Sequence, residues 1–151
     1  MHYMAKTVDE SAITATIEDY LERILILCEE KGYAQVTEIA KLLDISKASV
    51  TEMVNKMKNY GLVKSERYGT ITLTDEGKTI AEKIKNRHDL LETFLLLLGI
   101  SEENAKNDAC VMEHNLSKET AKRLEKFILF LQEEQQKVFI TRFREQAKTK
   151  S

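Results

Sequence analysis

Val36–Leu73, VTEIAKLLDISKASVTEMVNKMKNYGLVKSERYGTITL, is the stretch from which the fold can be read. Ile39, Ala40 and Leu43 recur at helical spacing and predict a short amphipathic helix over Thr37 to Leu43. Asp44, Ile45 and Ser46 form a tight turn. A second helix is predicted from about Lys47 to Tyr60, its apolar side built from Val50, Met53, Val54 and Met57 at i, i+3, i+4 and i+7. Gly61 stops it, because only glycine takes the left-handed conformation of a helix end without a steric penalty. Beyond Leu62 and Val63, the alternating segments Lys64–Tyr68 and Thr70–Leu73 hinge at Gly69 and predict a β-hairpin. Helix, turn, helix and hairpin read as a winged helix-turn-helix, a DNA-binding unit.

What the second helix presents supports that reading. Ser46, Lys47, Ser49 and Thr51 crowd small polar groups and a cation at its N-terminus, where unsatisfied N–H groups favour phosphate. Lys47, Ala48, Ser49 and Glu52 are placed to meet base edges, Ala48 offering a methyl to thymine, with Lys56 further along the helix. The bland alternative is a helical hairpin inside a helical domain, with the same polar positions merely solvated.

The chain has 151 residues, within the range of one large or two small domains. A 42% hydrophobic content can build a core, and 32% charged residues with no proline point to helices. The expected fold is mainly α with a small β-hairpin wing: a winged helix-turn-helix over 1–74 and a helical dimerisation domain over 75–151. A net charge of −2 is not that of a constitutive nucleic-acid binder, so its charges are segregated or its binding is conditional. Two cysteines make no disulfide framework, MHYMAKTVDES has no apolar signal core, and Phe94–Leu98 is too short to span a bilayer. A cytoplasmic protein with no membrane association is expected.

Residues 1 to about 10 read as a loose arm. A helix from Ser11 to Lys31 follows, with Ile17, Tyr20, Leu21, Ile24, Leu25 and Cys28 as its apolar stripe and Asp19 and Glu22 opposite, one turn apart. Thr74–Gly77 caps a long helix ending near Leu98. Its segment Leu90, Leu91, Phe94, Leu95, Leu98 is apolar over too wide an arc for a surface helix: it is either the centre of a second small domain or packed against a second copy, and self-association is the expectation. Ser101 and Ser117 cap two further helices, the latter burying Ala121, Leu124, Phe127, Ile128 and Leu131. Glu133–Lys150 is either a loosely packed terminal helix or a frayed tail. Internal repeats and low-complexity segments are absent from the sequence.

Cys110, Glu113 and His114 stand at i, i+3 and i+4, so a thiol, a carboxylate and an imidazole share one helix face, about 5.4 Å apart along it. These are three metal-ligand types. His88 and Glu92 form another i, i+4 pair, and Asp19 with Glu22 a third cluster. Each pair alone is equally compatible with separate solvated or core residues.

EDYLERI at Glu18–Ile24, the helix-turn-helix, RHDLLE at Arg87–Glu92 and NDACVMEHNLS at Asn107–Ser117, in this order, resemble the metal-dependent repressors typified by the diphtheria toxin repressor and the manganese transport regulator. The resemblance runs from about Ala15 to Leu131. It implies a metal site of Asp19, Glu22, His88, Cys110, Glu113 and His114, with Glu92 ancillary. It implies Fe²⁺ or Mn²⁺ as effector, with Co²⁺, Ni²⁺ or Zn²⁺ as substitutes in vitro. It further implies a homodimer on pseudo-palindromic operators of metal-uptake genes, with no enzymatic activity. A chain of this length is expected to lack the third, SH3-like domain of many iron-type members, as manganese-type members do. Asp19 is the manganese-type choice, yet Cys110 is iron-type, and Lys106 replaces an iron-type histidine of the ancillary site. Two other classes remain open: a regulator sensing an organic ligand or oxidant through Cys110, and a small metal-dependent hydrolase with Glu113 as base.

Overall fold

The computed structural model describes residues 10–148, and the expected N-terminal arm with His2 lies outside the described residues. The chain divides between Ile84 and Lys85 into two compact units. No helix among the described residues is long and apolar enough to cross a membrane.

In the first unit, α1 spans Ala15–Lys31. Thr14 caps it by accepting the Ile17 N–H at 3.3 Å, and Gly32 closes it at φ +90° with its N–H on the Cys28 carbonyl. The start falls after Ser11 because Glu10–Ala12 form a separate 3₁₀ turn. Strand β1 (Ala34–Gln35) leads into α2 (Val36–Leu43), and Ser46 caps α3 (Lys47–Asn59) by accepting the Ser49 N–H at 3.1 Å. Tyr60 is the C-cap, and Gly61 follows at φ +72°. β2 (Val63–Ser65) and β3 (Thr70–Leu73) form the hairpin, with Ser65 opposite Ile71. β1 adds to the other side of β3, giving a three-stranded antiparallel sheet in the order β1-β3-β2.

The core of this unit lies between α1, the helix pair and the sheet. Ile17, Leu21, Ile24, Ile39, Val50, Met57, Leu62, Ile71 and Ile84 are its largest fully buried side chains, and Cys28 packs against it as a half-buried side chain. Burial pushes the Cys28 thiol and the Tyr20 phenol above their ordinary pKa values. The helix α4 (Asp75–Leu97) begins here, its first turn held by Thr74, whose Oγ1 accepts the Gly77 N–H at 3.0 Å. Gly77 is required: a Cβ there would stand 1.9 Å from the Leu62 carbonyl oxygen.

The second unit comprises the rest of α4 with α5 (Glu102–Met112), α6 (Lys118–Leu131) and α7 (Lys137–Lys148). Leu91 and Leu95 pack on Ala105 and Ala109, whose small side chains allow α5 to lie close to α4. These two leucines, expected to face a second copy, are therefore already covered within the chain, while Leu90, Phe94 and Leu98 are partly buried. Apolar surface is left open on α6 and α7, and also at Val111 of α5 and at Ile100. Phe127, expected in the core, is 48% exposed and meets Phe94 edge-on with ring centroids 6.4 Å apart. Phe130, Val138 and Phe139 are exposed as well. α7 buries no residue of its own, and the Arg144 guanidinium anchors it by donating to the Leu96 carbonyl at 3.1 Å.

Candidate metal centre and DNA-binding face

Within the second unit, the long helix and the end of α5 converge on His88. One turn of α4 separates His88 from Glu92, and the His88 Nε2 lies 3.1 Å from the Glu92 Oε2. Its other nitrogen, Nδ1, lies 3.1 Å from the Glu113 Oε2 and 3.7 Å from the Cys110 Sγ. Glu113 is the C-cap of α5, still in right-handed helical geometry, so Cys110 and Glu113 remain one turn apart on one face. His114 follows the helix end, with its Nε2 3.1 Å from the Glu113 Oε1. The carboxylate of Glu113, 0% exposed, thus stands between two imidazoles. The Arg87 guanidinium donates to the Glu113 backbone carbonyl at 2.8 Å, occupying an acceptor that the end of α5 leaves open.

This donor set suits a divalent transition metal. One donor atom from each of His88, Cys110 and Glu113 lies within 4.8 Å of the others, and the same holds for His88, Asp89 and Glu92. Donors bound at about 2.0–2.4 Å to a single ion are separated by at most about 4.8 Å, so neither trio is too wide to share one. A neutral imidazole donates from only one nitrogen, yet His88 has a carboxylate on both. Extra positive charge at that point, as a proton or a metal ion, satisfies the arrangement. Nitrogen, sulfur and oxygen donors together match a first-row transition metal better than Mg²⁺ or Ca²⁺.

In the first unit, α1 holds Asp19 and Glu22 one turn apart. Glu22 is buried and Asp19 partly so; neither carboxylate is the freely solvated group that an isolated i, i+3 pair suggests. Ser46, Lys47, Ala48, Ser49, Thr51, Glu52 and Lys56 are all exposed, leaving this side of α3 open while Val50, Val54 and Met57 face the core. The Thr51 hydroxyl turns back to donate to the Lys47 carbonyl at 3.0 Å. Arg87 escaped the sequence reading although it precedes His88 in RHDLLE. A cation beside a histidine says nothing of the carbonyl it reaches 26 residues on.

Two family models cover most of the chain. Residues 12–71 match "Iron dependent repressor, N-terminal DNA binding domain", and residues 74–138 match "Iron dependent repressor, metal binding and dimerisation domain". The HTH-type transcriptional regulator MntR of Geobacillus thermodenitrificans (strain NG80-2) is 41% identical over 125 residues, 83% of this chain and 89% of that protein. The solved structure of the manganese regulator SloR superposes with a TM-score of 0.65 at 32% identity, over 75% of this chain and 53% of that one. That of T. acidophilum IdeR gives a TM-score of 0.65 at 29% identity, over 73% of this chain and 53% of that one. The chain thus spans about half the length of these two structures.

A winged-helix unit followed by a helical unit with clustered metal-ligand side chains defines a metal-dependent, DNA-binding transcriptional regulator. This chain belongs to the iron-dependent repressor family, that of the diphtheria toxin repressor and the manganese transport regulator.

Proposed function

We propose that this regulator represses metal-uptake genes as a homodimer when cytoplasmic Fe²⁺ or Mn²⁺ is sufficient. The reading divides the work between residues 1–74, which bind operator DNA, and residues 75–151, which bind metal and dimerise. The observation that carries it is the convergence of His88, Cys110 and Glu113 on one buried point in a chain of this family. His88, Cys110, Glu113 and His114 hold the ion together with Asp19 and Glu22 of α1, with Glu92 as an ancillary ligand.

Bound there, a divalent cation supplies positive charge that offsets the carboxylates and the thiolate. Without it, Asp19, Glu22 and Glu113 repel one another and leave α1 and its DNA-binding unit mobile. With the charge offset, the same side chains tie α1 to the helical unit and fix the separation of the two recognition helices. Half-sites about 34 Å apart are then met together by Ser46, Lys47, Ala48, Ser49, Thr51, Glu52 and Lys56 of each copy. The cation acts as an effector in this account, which distinguishes it from a hydrolase using Glu113 as base.

Cys110 bears on which metal is preferred. A thiolate carries the same charge as the carboxylate it replaces but is softer, and Mn²⁺ lies at the weak end of the divalent series. Fe²⁺ should therefore activate at lower concentration than Mn²⁺, while the oxygen donors still admit Mn²⁺. Cobalt loading tests the site: wild type should give a thiolate-to-Co²⁺ charge-transfer band in the near ultraviolet that Cys110→Ser lacks. A wild-type spectrum without that band, with an Fe²⁺/Mn²⁺ activation ratio unchanged in Cys110→Glu, would refute direct ligation. Operator binding independent of metal would favour instead a sensor of an organic ligand or oxidant.

A further inference from the structure

Glu113 and His114 follow Met112, the last helical residue of α5, at the point where the helical ladder runs out. Gly32 ends α1 and Asp44 ends α2, each in the left-handed conformation that closes a helix. α5 ends without such a residue, since no position from 110 to 117 has positive φ. Its terminal carbonyls are met one at a time instead. The Glu113 N–H donates to the Ala109 carbonyl at 3.0 Å, and the Asn115 N–H to that of Met112 at 3.1 Å. The Asn115 side-chain Nδ2 donates to the Val111 carbonyl at 2.6 Å. These three bonds are local. The carbonyl of Glu113 is met from another helix, by the Arg87 guanidinium at 2.8 Å.

Arg87 and His88, consecutive on α4, thus hold Glu113 by different groups. The His88 Nδ1 approaches the Glu113 carboxylate at 3.1 Å, and both belong to the donor set that an ion would claim. Arg87 takes the main-chain carbonyl, which is no part of that set. Its bond is therefore compatible with the site both before an ion arrives and after. A guanidinium keeps its proton in proteins, so the bond is also indifferent to pH. Charge acts against it, because a cation beside a cation site repels the ion. Arg87 is partly exposed, so water screens much of that repulsion, whereas a charge-assisted hydrogen bond to a helix-end carbonyl is among the stronger ones. Positioning outweighs repulsion.

Resting on the metal-centre reading above, we propose that Arg87 is a positioning residue of that centre. It clamps the turn carrying Glu113 and His114 against α4 before the ion binds, so the ion meets donors already in place. Groups that orient metal ligands in this way contribute about 10–100-fold to affinity. Population arithmetic gives a similar figure: a turn that holds its binding arrangement only about a tenth of the time binds about tenfold more weakly.

The test uses the full chain, with Co²⁺ alone as the probe. Arg87→Met, an unbranched side chain without donors or charge, should bind Co²⁺ about tenfold more weakly in a chelator competition. In hydrogen exchange of the metal-free variant, the Glu113 and Asn115 amides should lose protection while those inside α4 and α6 keep theirs. Saturating Co²⁺ should restore them. Arg87→Lys, which keeps the charge and a donor, should fall between parent and Arg87→Met in both readouts. Co²⁺ affinity of Arg87→Met equal to or above the parent's would overturn the inference, and so would unchanged protection at Glu113 and Asn115. Arg87→Lys binding more weakly than Arg87→Met would mean that repulsion wins, which overturns it too. Protection lost throughout the helical unit in both variants would assign Arg87 to the fold as a whole and overturn the positioning role. A parent that binds no Co²⁺ would overturn the metal-centre reading and this inference together.

Discussion

Gly77→Ala probes the joint on which the wing unit is built. The added methyl would stand 1.9 Å from the Leu62 carbonyl oxygen, where ordinary contact begins at 3.4 Å. About 1.5 Å of relief is needed, and the atom in the way is backbone with little freedom to yield. That carbonyl accepts the Thr74 N–H at 3.1 Å, and the Thr74 hydroxyl donates to the Gly61 carbonyl at 2.6 Å. Moving it disturbs the entry to α4 and the turn after α3 together. Overpacking costs about 3 kcal/mol at a site this tight, and alanine recovers at most about 1 kcal/mol in helix propensity. A net loss of about 2 kcal/mol lowers the melting temperature of a unit of this size by about 10 °C. Circular-dichroism melts of the metal-free full chain measure it, with Gly61→Ala as control. A Cβ at Gly61 meets nothing within 4 Å, so that variant carries only the penalty of φ +72°, about 1 kcal/mol. Gly77→Ala melting like wild type, or above Gly61→Ala, would refute the steric argument.

Leu91→Asp should unfold the helical unit, because it buries an unpaired charge among Leu95, Ala105 and Ala109 at a cost of several kcal/mol. Far-UV circular dichroism reads this, and a fully folded variant that has only lost its partner copy would contradict it. Ser49→Glu should reduce operator affinity at least about 100-fold by placing negative charge against phosphate, with metal affinity and the Ser46 cap to the Ser49 N–H unchanged. Fluorescence anisotropy and metal competition separate the two effects. Stability should fall in alkali, because the fold holds the Cys28 thiol and Tyr20 phenol neutral above their ordinary pKa values. That contribution is complete below the unfolded pKa values and is lost as pH rises from them through the folded ones. Urea titrations at increasing pH should therefore show a decline that Cys28→Ala lessens.

The DNA-binding unit was legible because its signals are local: helical periodicity over Ile39–Leu43 and Val50–Met57, and glycine at Gly61. β1 was not, since two residues are too short to show a period-2 pattern and its pairing with β3 is long-range. The 3₁₀ turn at Arg67–Gly69 likewise interrupted an alternation that read as one continuous strand arm. Spacing gave the Cys110–Glu113 and His88–Glu92 relations, each made within one helix. The meeting of α4 with α5 is tertiary, and only the family resemblance anticipated it. Periodicity marks the Leu91 and Leu95 face as one to be covered without saying by what. Ala105 and Ala109, small enough to bring α5 close, cover these two leucines within the chain.

Operator affinity measured anaerobically against free Fe²⁺ and Mn²⁺, with chelated protein as reference, tests the central claim most directly. The account predicts binding at least about 100-fold tighter with metal than without. It further predicts that Fe²⁺ acts at the lower concentration and that His88→Ala needs far more of either ion. Chelated protein that binds the operator as tightly as the metal-loaded form would contradict it.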